Sequence, residues 1–193
     1  MFGSVPRSSA VRRLVPLTLV LALLASACGN EESDSATASE LLAEGLQAHR
    51  AGQLVKAAEG YFGVLAIDPA NTFAHYNLGL IYQALKDLPT AQRYYHLALH
   101  DDIGFTPALF NLAIVRDTLG DPEGATEYYL KVLAIEPENA AAHLNLGFAL
   151  KELDEKKHGN DEIARAIELD PSLAGRSEPL AMDEPLATDE PAT

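Results

Sequence analysis

The chain has 193 residues, 48% of them apolar, 22% charged and 7% aromatic, with one Cys, no Trp and 11 Pro. These proportions allow a sizeable core and exclude a collagen-like, disulfide-knotted or wholly disordered chain. A net charge of −14, from 14 Lys plus Arg against 28 Asp plus Glu, excludes a phosphate-backbone binder, which needs clustered cations; nucleic acid is not a partner.

The first 27 residues differ from the rest. They hold Arg7, Arg12 and Arg13 and no acid, followed by an apolar stretch over residues 14–25. A bilayer core takes about 20 apolar helical residues, so the stretch is too short to span comfortably and reads as an export signal over residues 1–27. Leu24-Ala25-Ser26-Ala27-Cys28 then follows, and Cys28 is the chain's sole cysteine. This run resembles the lipobox of bacterial lipoproteins, with its leucine one step earlier than the family's usual place. The resemblance implies a diacylglyceryl thioether on Cys28, which becomes the mature N-terminus. An ordinary secretory signal cut before Cys28 is the alternative. Two acyl chains suffice for stable attachment, so the expectation is a protein anchored by lipid on the extracytoplasmic side of a membrane in the bacterial cell envelope. Residues 28–37 are small, polar and acidic, and read as the lipidated cysteine and a flexible tether.

From residue 38 the sequence repeats. Acid-Pro pairs fall at Asp68-Pro69, Glu136-Pro137 and Asp170-Pro171, with prolines 68 and 34 residues apart. Blocks of 34 starting at Ala38, Thr72, Thr106 and Ala140 align without a gap. Position 8 of the blocks reads Gly45, Gly79, Ala113, Gly147; position 20 reads Ala57, Ala91, Ala125, Gly159; position 24 reads Tyr61, Tyr95, Tyr129, Ile163. Small residues at 8 and 20 let two helices approach closely, and the large residue at 24 fills space between hairpins. A fixed period near 34 marks helix-turn-helix arrays. Eight helices of about 12–14 residues follow. Thr37 and Glu40 make a capping box for the first, Gly52 and Gly120 stop the first helices of blocks one and three, and Asp121-Pro122 opens another. Gly159 and Asn160 weaken the last helix.

The columns resemble the tetratricopeptide repeat (TPR) family. The resemblance implies an all-α, right-handed superhelical solenoid of four TPR helix-turn-helix repeats over 38–173, in repeats 38–71, 72–105, 106–139 and 140–173. Residues 174–193 repeat Glu178-Pro179, Glu184-Pro185 and Glu190-Pro191 every six residues. Their acidic, proline-bearing composition reads as a disordered tail, with a docking motif as the alternative.

In the TPR family the first helix of each repeat lines a concave groove. Position 6 there is Asn77, Asn111 and Asn145. Similar asparagine ladders in the repeat region of O-GlcNAc transferases hold extended peptide backbone, since an amide both donates and accepts. Positions 5 and 9 add Tyr76, Phe110, Leu144, Leu80, Ile114 and Phe148 as apolar anchors, with burial against the neighbouring block as their alternative role. TPR domains that grip acidic chaperone C-termini use Lys and Arg at positions 2, 5, 6 and 9. This chain has Phe73, Tyr76, Asn77 and Leu80 instead, so that activity is not expected.

His96 and His100, with Asp101, could share a face and bind zinc, but no third ligand stands at a defined spacing. Packing explains His75 and His143, which recur at position 4. No nucleophile elbow, P-loop or dinucleotide fingerprint occurs, so no enzyme, cofactor or metal is expected. The sequence thus points to an envelope-anchored scaffold whose groove binds another protein as an extended peptide or helix. A pilotin-like assembly factor for a pilus or secretion channel, and a metal-binding or enzymatic protein, are the alternatives.

Overall fold

A computed structural model describes residues 17–180, with side chains from Asp34 onward. The basic residues Arg7, Arg12 and Arg13, the side chain of Cys28 and the tail beyond Leu180 lie outside the described residues. The chain divides into two units, Met1–Thr37 and Ala38–Thr193. In the first, residues from Leu17 onward are helical, as the start of α1 (Leu17–Arg50). No described helix is long and apolar enough to cross a membrane. Helix α1 runs through Thr37, which is therefore not a helix start, and residues 29–36 are helical. The reason is local: between Leu17 and Arg50 there is no proline, and Gly29 is the single glycine before Gly45.

The second unit contains the rest of α1 and then α2 (Leu54–Ile67), α3 (Thr72–Ala84), α4 (Leu88–Asp101), α5 (Thr106–Thr118), α6 (Pro122–Ile135), α7 (Ala140–Glu152), α8 (Lys156–Leu169) and a 3-10 turn, Pro171–Leu173. Each 34-residue block is one hairpin. Consecutive helices pack in order from α2 to α8, and α5 also touches α7. This is the all-α superhelical repeat the columns imply, with no strand among the described residues.

Asparagine and aspartate start most of the later helices. Asn71 accepts from the Ala74 N–H at 3.0 Å, Asp121 from Gly124 at 3.0 Å and Asn139 from Ala142 at 2.9 Å, each satisfying a donor that a helix end leaves open. The first helix of every block ends the same way. Position 15 is left-handed in all four, at Gly52 (φ 71°), Lys86 (62°), Gly120 (78°) and Asp154 (63°). Its N–H bonds the carbonyl three residues back, and the next N–H reaches five back, as in Asp87 to Tyr82 at 2.9 Å and Asp121 to Arg116 at 3.0 Å. That is a Schellman closure repeated four times. Glycine announces it at only two of the positions.

The columns explain the core. Tyr61, Tyr95 and Tyr129 at position 24 are almost wholly buried, as are Leu78, Leu112 and Leu146 at position 7. Each tyrosine lies over position 8 of its own hairpin. A Cβ on Gly45 would stand 2.8 Å from Cε1 of Tyr61, closer than real side chains allow. Position 24 thus fills its own hairpin, where Tyr95 and Tyr76 have ring centroids 5.9 Å apart, and also reaches the neighbour, where the Tyr129 hydroxyl accepts from Asn145 Nδ2 of the next block at 3.3 Å. The final hairpin closes tighter still. A Cβ on Gly147 would meet Gly159 O at 2.7 Å, and one on Gly159 would meet Gly147 O at 2.5 Å. Gly159, expected to weaken α8, is what lets α7 and α8 touch backbone to backbone. Leu173 of the 3-10 turn packs with Leu144 and Ala166 and covers the end of the array.

Candidate functional site

Position 6 of the first helices puts Asn77 on α3, Asn111 on α5 and Asn145 on α7 in one column. All three are buried polar groups, so each must be satisfied within the fold or by something on it. Asn77 Nδ2 donates to the Phe73 carbonyl of its own helix at 2.8 Å. Across the hairpin boundary lies His49, whose pKa burial lowers and the Asn77 side chain partly raises again. Asn111 Nδ2 donates to the Pro107 carbonyl at 3.1 Å and to the Tyr76 hydroxyl at 3.1 Å.

Asn145 differs. Its Nδ2 donates to the Tyr129 hydroxyl at 3.3 Å and to the Leu180 carbonyl at 3.4 Å, while its Oδ1 accepts the Leu180 N–H at 2.8 Å. One amide thus spans both main-chain groups of a single residue in a segment outside the helices. The Leu180 side chain joins the cluster of Leu144, Ala166 and Leu173, beside Phe148 and Ile163. Asn145 is 1% exposed, against 7% for Asn77 and Asn111. Residues 174–180 of the segment expected as a disordered tail are therefore partly engaged on this face.

The apolar residues expected as anchors divide. Tyr76, Phe110, Ile114 and Leu144 are buried in the array itself. Phe110 and Ile114 pack with Leu146, Tyr129, Ala142 and Ala149, and Tyr76 packs with Tyr95, Leu112 and Val115. Position 5 of one block lies under the next block, so these side chains hold the stack together and have little surface left for a ligand. Truncating Phe110 would test folding rather than binding. Leu80 and Phe148 at position 9 are only half-buried, and Phe148 shares its cluster with Leu180.

The histidines pair with acids. His75 Nδ1 meets Asp101 Oδ2 at 2.6 Å, with both side chains under 10% exposed, and His143 Nδ1 meets Glu162 Oε2 at 2.6 Å. Each links the first helix of a block to its second. Asp101 is thereby taken up by His75, and His100, 85% exposed, touches only its other oxygen at 3.3 Å. His96 stands edge-on to Tyr128. Among the described residues no three ligating side chains converge on a metal position. Near the column, burial and then the charge of Glu152 push the Asp117 carboxyl up to about 6, and its Oδ1 has no partner.

The sequence did not disclose the Leu180 contact or the His75–Asp101 and His143–Glu162 pairs. The recurrence of histidine at position 4 was the available signal for the pairs. Nothing in the pattern marks Leu180 as seated, apart from the six-residue repeat of the tail.

Known proteins agree with this architecture. The tetratricopeptide repeat profile matches residues 106–139, the third block bound for bound. Among curated proteins none matches the sequence significantly. Among solved structures the chain is similar to MamA, at 21% identity over 73% of this chain and 82% of that one, TM-score 0.66. It is similar to PilF of Pseudomonas aeruginosa, at 20% identity over 73% of this chain and 66% of that one, TM-score 0.65. It is also similar to the first TPR domain of Spaghetti (RPAP3) bound to the HSP90 peptide SRMEEVD, at 27% identity over 62% of this chain and 95% of that one, TM-score 0.60.

Proposed function

We propose, from the premise that the chain belongs to the tetratricopeptide repeat family, that this protein-interaction scaffold holds an extended peptide or helix of an envelope partner on the face of α3, α5 and α7. One observation carries the reading: the Asn145 amide grips both main-chain groups of Leu180. An amide at this column is therefore placed to hold extended backbone without reading its side chains. The Spaghetti domain holds a peptide, HSP90 SRMEEVD, which supports peptide binding as the mode. The absence of cations at Phe73, Tyr76, Asn77 and Leu80 argues against a ligand anchored by a terminal carboxylate.

We further propose that a lipid on Cys28 holds the scaffold on the extracytoplasmic side of the membrane, which rests on the lipobox-like run before that cysteine. Cys28→Ser is expected to move the protein into the soluble fraction, and wild type is expected to carry acyl mass at its N-terminus. Retention of the mutant on washed membranes sinks this part. For the partner, a photo-crosslinking residue at Leu80 or Phe148 in living cells is expected to capture one envelope protein. Capture only from the outer positions Val55 and Leu130, both well exposed, would overturn the assignment of the face. The pilus or secretion-channel role is distinguished by whether deletion abolishes a surface fibre or pore.

A further inference from the structure

The seat of Leu180 combines three features that arise independently. The first is polar: the Leu180 N–H and carbonyl meet the two ends of one buried amide at 2.8 and 3.4 Å. The second is apolar, because the leucine side chain packs against the cluster of Leu144, Ala166 and Leu173 at the last hairpin, together with Phe148, Ile163 and Ile167. The third is in the sequence, where Glu178-Pro179-Leu180-Ala181 returns six residues later as Glu184-Pro185-Leu186-Ala187.

Each residue of the segment has a physical task at this seat. Pro179 fixes its own φ and biases Glu178 toward extended backbone, which lowers the entropy lost when the segment is held. Leu180 must offer an N–H, so the residue after the proline cannot itself be proline, and its side chain packs on an apolar cluster. Glu178 is exposed, so its charge keeps the segment soluble without being read.

We propose that the tail is the chain's own ligand, held in cis at the Asn145 end of the face, and that this end is selective for an extended Pro-Leu segment. The proposal rests on the reading of this face as the partner site, and it deepens that reading: a partner must displace the tail or present the same Pro-Leu chemistry. The repeat of the motif supplies a second copy within the same tail.

The test uses the full chain and a fluorescein-labelled peptide with the sequence of residues 174–182, AGRSEPLAM, followed by fluorescence anisotropy. Wild type is expected to bind it weakly, because its own tail competes at a high effective concentration. The full chain carrying Leu180→Asp and Leu186→Asp is expected to bind it at least 10-fold more tightly. Adding Asn145→Ala to that variant is expected to reverse the gain, with an unchanged helical circular dichroism signal. A second measurement does not depend on any variant: the Leu180 amide of wild type is expected to exchange with deuterium far more slowly than those of Ser177 and Glu178. Equal peptide affinity of wild type and tail variant overturns the proposal, as does exchange at Leu180 as fast as at Ser177. A wild-type dimer that the tail substitutions dissolve would also overturn it, because the tail would then be seated on a second copy. Failure here leaves crosslinks from Leu80 on α3 unaffected. Success here together with no crosslink from Leu80 or Phe148 would instead remove the envelope partner and keep the tail.

Discussion

Position 15 offers a measurement in which the sign is set by backbone geometry alone. Lys86 and Asp154 sit at φ 62° and 63°, in the left-handed turn that glycine occupies in the other two blocks. An L-residue there costs about 1–2 kcal/mol relative to glycine. Glycine returns about 0.5–1 kcal/mol of that through the greater freedom of its unfolded chain. Lys86→Gly is therefore expected to stabilise the array by about 0.5–1 kcal/mol, since the lysine side chain is exposed and its loss removes no packing. Asp154→Gly should gain less. Its carboxylate meets Lys156 at 2.7 Å, but with the two side chains 83% and 73% exposed that pair is worth little. Gly120→Ala should lose a similar amount for the opposite reason: a Cβ there would meet nothing within 4 Å, so only φ is strained. Urea titration followed by the helical circular dichroism signal reads all three, and at this size 1 kcal/mol moves the thermal midpoint by about 2–4 °C. A lower midpoint for Lys86→Gly, or a neutral Gly120→Ala, would refute the argument that all four hairpins share one strained closure.

Gly147→Ala should destabilise by about 2 kcal/mol despite a helix-propensity gain of about 1 kcal/mol, because the new Cβ meets the Gly159 carbonyl and backbone cannot step aside. Gly45→Ala, whose obstacle is the Tyr61 ring, should be far milder, as Ala113 facing Tyr129 already indicates; equal losses in thermal melts would contradict this. Asp117 provides a pH test. Burial and then the charge of Glu152 push its folded carboxyl up to about 6, above the ordinary carboxylate range, so the folded state holds the proton more tightly and stability from this group falls as pH rises from about 4 through 6. Asp117→Asn should therefore raise the melting midpoint at pH 7.5 relative to wild type and change it much less at pH 4.5, and a constant difference across that window would show that the shift is absent.

What was legible in the sequence was whatever the stacking repeats. Gly45 under Tyr61 and Gly79 under Tyr95 are the same contact made twice, so a period of 34 writes it into columns that can be read without coordinates. Position 15 escaped at Lys86 and Asp154 because a left-handed residue is visible in sequence only when it is glycine. The start of the first helix escaped because a good capping box at Thr37 does not stop a helix that is already running. Tyr76 is adjacent to Asn77 on α3, and Phe110 to Asn111 on α5. Which part of each helix is covered depends on how far the next hairpin reaches across it, and one helix carries no record of that distance. His75 and Asp101, 26 residues apart, were likewise brought together by a hairpin whose existence was legible but whose side-chain register was not.

The three asparagines show why a ladder in sequence is not three equal rungs. At Asn77 and Asn111 the Nδ2 already donates to a carbonyl four residues back, at 2.8 and 3.1 Å. A ligand laid along the column must exchange with those bonds, and because a typical hydrogen bond contributes a net of about 0.5–1.5 kcal/mol, trading one for another returns close to nothing. Asn145 makes no such bond to its own helix among those described; it holds the Tyr129 hydroxyl and the main chain of Leu180. The amide of the last hairpin is therefore the one engaged with main chain outside the helices, and the apolar cluster of Leu144, Leu173 and Phe148 lies there as well. On the proposed peptide-binding role, a segment entering from α7 would meet its strongest polar and apolar contacts first, and would then have to gain from side chains at Leu80 whatever keeps it along the remainder of the face.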